Sequence, residues 1–433
     1  MKTFSSFYLA CVLAFVASAN AASGEGIGIA ATEPESVGFS SERLQRLKSW
    51  THQVVDAGEL SGMVALVTRH GKLVYSDVYG LQDIATRKPM SADTIFRVFS
   101  MTKPITGTAM MILYEEGKWL PDDPLSKYIP EFANLKVFAG VDAQGKPILE
   151  APVHPPTVGE LLTHSAGFTY GTFTDTPLDK LVRESNPLGS GSLKEMIQKL
   201  AALPLAYQPG TKWMYSLSVD VQGYLVEKLS GKSLPDFMRE RIFTPLGMKD
   251  TAFNVPPEKM SRLATVYESA LKDGKLVPQP HANGVNTVPG LPSGGGGLYS
   301  TAGDYLRFAQ MLANGGSLGD VRILGPKTVE VMRTNHLAPN LRTGEFAIGF
   351  QRMRAGFGFG YDVAVFDDPA LIGVPVGKGT FLWDGAAATF FWVDPTNDIV
   401  FVGMIQRRGG PGMPQVQQTS RPLTYQALLD PAK

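Results

Sequence analysis

The stretch Gly62-Met-Val-Ala-Leu-Val-Thr-Arg-His-Gly-Lys-Leu-Val-Tyr-Ser-Asp-Val-Tyr79 decides the fold class. Gly62 to Thr68 is an unbroken apolar run bounded by turn residues, the pattern of a buried strand. Arg69-His70-Gly71 turns the chain, and Lys72 to Tyr79 reads as the hairpin partner. The far end of the chain mirrors this. Thr389-Phe-Phe-Trp-Val393 and Ile399-Val-Phe-Val-Gly-Met404 read as strands joined by the turn Asp394-Pro-Thr-Asn-Asp398. Strands of one kind at both ends predict one antiparallel sheet built from both ends.

The middle differs. Lys103 to Glu116, Val158 to Thr163, Leu193 to Leu203, Asp220 to Leu229, Leu234 to Ile242 and Asp304 to Asn314 carry helical periodicity. Gly117, Gly231 and Gly315 follow three of them as stops. The expectation is an α/β fold: an antiparallel sheet flanked by helices, with an inserted, mainly helical region. The α/β domain takes 22–98 plus 295–433 and the helical domain takes 99–294. No internal repeat is present, and Gly294 to Gly297 is too short a run to count as low-complexity.

A chain of 433 residues has room for two domains or one composite domain. Hydrophobic residues make up 44%, enough for a full core, and charged residues only 18% against a usual ~25%. Lys+Arg (40) balances Asp+Glu (40), which argues against a nucleic-acid partner, because phosphate contacts need a basic excess. The 46 glycines and 31 prolines predict many ordered turns.

The first residues read as a targeting segment. Lys2 is the only charge before Glu25, an apolar stretch runs from Phe7 to Ala17, and Ala19-Asn20-Ala21 offers small residues for cleavage. That is a signal peptide over 1–21, with apolar length too short for a bilayer. A lipid-attachment role for Cys11 fits less well, because Leu9 stands one place too close. Export to a bacterial periplasm or the medium is expected. Cys11 is the only cysteine, so the mature chain has neither disulfides nor thiolate chemistry. No later stretch is apolar and long enough to anchor the chain in a membrane.

Three motifs could carry chemistry. The first is Phe99-Ser100-Met101-Thr102-Lys103. A Ser and a Lys three apart share one helix face, and a serine hydroxyl needs an adjacent base to attack. The plain alternative is an N-cap serine followed by a solvated lysine. Ser269-Ala-Leu-Lys272 repeats the spacing in a polar stretch with no buried stripe. Gly315-Gly316-Ser317-Leu318-Gly319 matches a nucleophile elbow, but a helix precedes it where a strand is required, so Ser317 reads as a turn. The second motif is Trp213-Met214-Tyr215-Ser216-Leu217-Ser218, just before an apolar helix. A phenol beside an ammonium ionises more easily, so Tyr215 near Lys103 is a candidate proton relay. The third is Phe381-Leu-Trp383-Asp384-Gly385-Ala386-Ala387-Ala388. Its small residues allow close backbone approach, and free N–H groups on an edge strand could serve an oxyanion; simple strand–helix packing is the alternative.

Together these motifs resemble the serine β-lactamase/penicillin-binding superfamily, and within it the class C β-lactamase-like esterases called family VIII carboxylesterases. Ser100-Met-Thr-Lys103, Tyr215-Ser-Leu217 and Trp383-Asp-Gly385 carry the resemblance, which runs from about Leu44 to Gln406. Supporting stretches are Leu161-Leu-Thr-His-Ser-Ala-Gly-Phe168, Gly295-Gly-Gly-Leu-Tyr-Ser-Thr-Ala-Gly-Asp-Tyr305 and Phe391-Trp-Val-Asp-Pro395. It implies an active site between the two domains that needs no cofactor and no metal, and a small-molecule ester substrate. Ser100 would be the nucleophile, with Lys103 and Tyr215 as base and proton relay. The backbone N–H groups of Ser100 and Ala386 would form the oxyanion hole. Trp383, Asp384, Gly385 and His164 would border the substrate. Related β-lactamases and peptidases carry a cation in the third motif and the esterases often Trp-Gly-Gly. Asp384 therefore argues for neutral, short-chain esters, unless strand alternation turns it away. Rival readings on the same site are a β-lactamase or D-alanyl peptidase, an acyltransferase, and a silent peptidoglycan-binding protein.

The remaining motifs are quieter. The six histidines lack zinc-ligand spacing, and His164 reads as shaping a loop beside the pocket. Gly356-Phe-Gly-Phe-Gly360 reads as a strand lead. Phe168, Tyr170, Phe173, Trp213 and Trp383 are divided between an acyl pocket and plain core.

Overall fold

A computed structural model of the protein describes residues 28–270, 275–280, 285–342, 347–348, 351–410 and 413–431. The expected leader over 1–21 lies outside the described residues, as does Lys272. The organising element is an eight-stranded, antiparallel sheet. Its strands are β1 (Gly62–Arg69), β2 (Lys72–Asp83), β3 (Lys88–Pro89), β4 (Gly358–Phe359), β5 (Ala364–Phe366), β6 (Thr380–Asp384), β7 (Phe390–Asp394) and β8 (Ile399–Met404). Their order is β4-β5-β6-β7-β8-β1-β2-β3. The two ends of the chain meet where β1 pairs β8, from Val64 opposite Met404 to Arg69 opposite Ile399.

The unbroken apolar runs have a physical reason: both faces of the sheet are covered. Neighbours on β7 point opposite ways. Phe391 meets Tyr305 of helix α8 (Ala302–Ala313) at 5.3 Å between ring centroids. Trp392 turns to the other face, where its indole N–H donates to Ser420 Oγ at 3.1 Å and its ring stacks on Tyr425. Both partners lie on the C-terminal helix, α10 (Val416–Tyr425), which packs beside α1 (Ser41–Asp56). A strand buried on two faces has no polar side to alternate with.

The helical part centres on α2 (Thr102–Glu115), buried continuously from Thr102 to Leu113 and packed on α6 (Ser218–Ser230). Around them lie α3 (Val158–Leu162), α4 (Pro177–Ser185), α5 (Leu193–Ala201), α7 (Leu234–Met238) and, nearer the sheet, α9 (Pro326–Met332). Local capping sets several starts. Ser40 caps α1, Thr157 and Glu160 form a capping box on α3, and Thr301 caps α8. Gly117, Gly231 and Gly315 sit in the left-handed region at the expected stops.

Four expectations change. β2 continues past Tyr79 to Asp83. The helix expected over Leu234 to Ile242 is α-helical only to Met238 and continues as a wider turn over Arg239–Phe243. The helices at 177–185, 326–332 and 416–425 were not foreseen. The last reads Val-Gln-Gln-Thr-Ser-Arg-Pro-Leu-Thr-Tyr, a poor helical sequence with Pro422 inside, held by packing on Trp392. Finally, the third-motif strand β6 is not an edge strand: it pairs β5 on one side and β7 on the other, so its own N–H groups belong to the ladder.

With Phe391 fully buried on the α8 face of the sheet, Phe391→Ala should cost about 3–5 kcal/mol of stability. Denaturant melts would read this as a lowered midpoint; a loss below about 1 kcal/mol would contradict the packing described.

Candidate active site

The site begins in the strand-to-helix segment before α2. Phe96 and Arg97 pair with Ser300 and Tyr299, and the Val98 N–H donates to Leu298 O at 3.1 Å. Gln406 grips both backbone groups of Arg97, at 3.2 and 3.0 Å, and Tyr305 Oη donates to Met101 O at 2.8 Å. This clamp holds Phe99 at φ 45°, a left-handed conformation for a large side chain. Such strain costs on the order of 1–3 kcal/mol and persists only where the surroundings impose it. Ser100 follows in a tight turn, Phe99–Met101, that runs into α2, so Lys103 sits one turn on along the same face.

Three side chains far apart in sequence meet here. Lys103 Nζ lies 3.2 Å from Ser100 Oγ, and Tyr215 Oη donates to the same oxygen at 2.7 Å. Lys103 is fully buried and also donates to Gly295 O at 2.6 Å. Burial pushes its pKa down to about 8, against the pull of Asp220, Asp362 and Asp384. Tyr215 behaves otherwise than expected. Burial drives its phenol well above the ordinary range and outweighs the hydrogen bond to Ser100. The ammonium sits over its ring, 4.5 Å from the centroid, rather than beside the hydroxyl. Tyr215 is therefore a protonated donor in the resting site.

The turn after β6 supplies the opposite wall. A Cβ on Gly385 would lie 2.3 Å from Val98 O, so only glycine lets this backbone approach the segment that carries Ser100. Thr389 Oγ1 ties the turn to the same carbonyl at 3.2 Å. Ala386 is exposed at the tip of the turn and shares the wall of one cavity, of about 590 Å³, with Ser100, Tyr170, Phe173 and Tyr215. The free N–H groups are thus on a turn past the strand end, not on a strand edge.

The remaining expected neighbours stand outside that cavity. Trp383 is buried behind Tyr215, 5.5 Å between ring centroids. Asp384 and Gly385 line a second cavity, on the far side of the turn against α10. Burial raises the Asp384 carboxyl to about 6, while Arg421 of α10 pulls it down. Asp384 lines that second cavity and not the one over Ser100, so the argument from Asp384 to neutral substrates loses its basis. His164 is buried at φ 57° with its Nδ1 accepting the Ser216 N–H at 3.3 Å, and the Met214 N–H donates to its carbonyl at 2.9 Å. Burial keeps its ring neutral; it braces the loop that presents Tyr215. Of the aromatics, Tyr170 and Phe173 line the cavity, whereas Phe168 and Trp213 are core.

Two parts of the site escaped the sequence reading. The glycine run 294–297 wedges between α2 and α6: a Cβ on Gly295 would lie 2.6 Å from Asp220 Oδ2. It delivers Gly295 O to Lys103 and Gly294 O to Thr106. Asp220 is fully buried, accepting from Ser293 Oγ at 2.5 Å and from the Gly295 N–H at 3.1 Å. A lone acid between Val219 and Val221 on an apolar helix was the available clue. Ser317 lies in a two-residue hairpin strand amid left-handed glycines, as a turn. Among the described residues no cluster of His, Cys, Asp and Glu could hold a metal ion, and no helix is long and apolar enough to cross a membrane.

Comparison with known proteins agrees with this architecture. The beta-lactamase family profile matches residues 47–425. Protein Rv1367c of Mycobacterium tuberculosis is 38% identical over 363 residues, 82% of this chain and 88% of that one. Esterase EstB of Burkholderia gladioli is 34% identical over 370 residues, 81% of this chain and 86% of that one. The solved structure of EstCE1, described as a hydrolase with promiscuous acyltransferase activity, superposes with a TM-score of 0.73 at 28% identity, covering 89% of this chain and 99% of that one. The chain belongs to the beta-lactamase family, as a serine hydrolase with the class C-like architecture of the family VIII esterases.

Proposed function

We propose that this protein is a carboxylesterase that cleaves short-chain esters through an acyl-enzyme on Ser100. One observation carries the proposal: Ser100 Oγ receives a hydrogen bond from Tyr215 while Lys103 Nζ lies 3.2 Å away, at the wall of an open cavity. Lys103 in its neutral form takes the serine proton as Oγ attacks the ester carbonyl. The oxyanion that forms is met by the N–H groups of Ser100 and Ala386. Tyr215, held as a phenol, hands a proton to the departing alkoxide and is restored from Lys103. Water then attacks the acyl-enzyme with the same groups acting in reverse. The likeness to EstB supports an ester over a lactam. The leader expected over 1–21 would place this activity outside the cytoplasm.

Ser100→Ala should lose activity on nitrophenyl butyrate by on the order of 10³-fold or more, with its unfolding midpoint unchanged. Turnover equal to wild type would refute the assignment. A chromogenic cephalosporin assayed in parallel separates the lactamase reading, which would require it to be the better substrate.

The pH dependence follows from the lysine. A group with pKa near 8 is protonated below that pH and available as a base above it. kcat/KM, which reports the free enzyme, should rise through about pH 8 and level off beyond it. A profile flat from pH 6 to 9 would remove Lys103 from the base role. Lys103→Ala and Tyr215→Phe should each be severely impaired in the same assay.

A further inference from the structure

The cavity over Ser100 is not neutral at its mouth. Its charged lining residues are Arg97, Arg408 and the buried Asp220, whose Oδ1 is already committed to Ser293 and Gly295. Both arginines lie over one ring. Arg97 Cζ lies 4.3 Å and Arg408 Cζ 5.9 Å from the centroid of Phe99, the residue immediately before the nucleophile. Together with Tyr299, these three residues also line an adjoining pocket of about 130 Å³.

Among the described residues neither guanidinium has a counter-charge, and no ion pair or hydrogen bond engages either one; Gln406 holds only the backbone of Arg97. Glu268, opposite Arg408 in a short parallel strand pair, forms no ion pair with it. Other acids in this quarter are occupied: Asp93 and Asp250 pair with Arg262, and Asp304 accepts from Thr251 and the Asp250 N–H. Two like charges gathered over one ring repel, an anion bound by both forks relieves that repulsion, and arginine forks suit a carboxylate. The Phe99 ring holds both forks near the cavity mouth by cation–π attraction.

We propose that Arg97 and Arg408 form an anion subsite at the mouth of the Ser100 cavity, and that the preferred substrates are esters carrying a carboxylate a few bonds from the scissile group. The proposal rests on the Ser100 reading above and names the substrate class for it. The carboxylate sits between the forks, and the ester carbonyl reaches Ser100 past the Phe99 ring. No covalent step is added: the subsite lowers KM by fixing the charged end.

The test compares esters matched in length and differing in charge. On the acyl side these are 4-nitrophenyl hydrogen adipate and 4-nitrophenyl hexanoate; on the alcohol side, 3-carboxyphenyl butyrate and phenyl butyrate. In wild type one anionic ester should exceed its neutral partner in kcat/KM, mainly through KM, and the margin should shrink as salt screens the arginines. In Arg97→Gln and Arg408→Gln the anionic-to-neutral ratio should fall about tenfold, the scale of one charged hydrogen bond. Arg408→Lys should restore part of it. Arg408 is exposed, so its variants keep the test readable should Arg97→Gln fold poorly. Equal rates for both pairs in wild type, or a ratio that survives both Gln variants, would overturn the subsite. Failure to cleave any of the four esters would instead strike at the Ser100 reading itself.

Discussion

The site depends on one desolvated ammonium. Lys103 has given up all contact with water, and its Nζ sits at Gly295 O and Ser100 Oγ with no carboxylate among the described residues in direct contact. Burial disfavours the charge, and the acids Asp220, Asp362 and Asp384 return part of what burial removes. A direct ion pair would lock the lysine in its charged form; an apolar shell alone would discharge it. Acids held at a distance leave a pKa near 8, where either form is accessible close to neutrality. The glycine run enforces that distance. Asp220 spends Oδ1 on Ser293 and on the Gly295 N–H, while the carbonyl of Gly295 faces the lysine.

The fold supplies this arrangement by close backbone approach rather than by flexible side chains. Gly385 brings the β6–β7 turn against Val98 O, and Gly294 and Gly295 slot between α2 and α6. Strain gathers in the same place. Of eight non-glycine residues in the left-handed region among the described residues, Phe99, His164, Asp362 and Ala388 surround the site. Each is tied down. The Gln406 and Tyr305 clamps hold the segment around Phe99, and the Met214 and Ser216 N–H groups hold His164. The Asp362 N–H reaches Leu162 O, and the Ala388 N–H reaches Gly385 O. A sheet buried on both faces gives these clamps a rigid base.

Electrostatics sets the two ionisable neighbours of Ser100 apart. Burial acts oppositely on an amine and a phenol: it lowers Lys103 toward neutrality and raises Tyr215 away from ionisation. Proximity alone predicts a phenol made acidic by its cationic neighbour. In the structure the ammonium lies over the ring face, where the attraction is to the π cloud, and desolvation dominates. Tyr215 is then suited to give a proton and Lys103 to take one.

Much of this was legible in the residues. Apolar runs at 62–68, 389–393 and 399–404 announced a sheet built from both ends, because a strand covered on two faces has no polar side to disguise it. The Ser100–Lys103 spacing placed both side chains on one helix face, because helical geometry is local. What sequence could not decide was everything set by packing between distant segments. The helix at 416–425 has weak local preference and forms because Trp392 and Tyr425 stack. Asp384 lines the cavity against α10 and not the one over Ser100, because side chains alternate along β6 and its neighbour Trp383 takes the Tyr215 side. Arg97 and Arg408, far apart in the sequence, are brought to one place only at the Phe99 ring. Local hydrogen bonding and periodicity are written along the chain; burial, and the charge states it selects, exist only once the chain has folded.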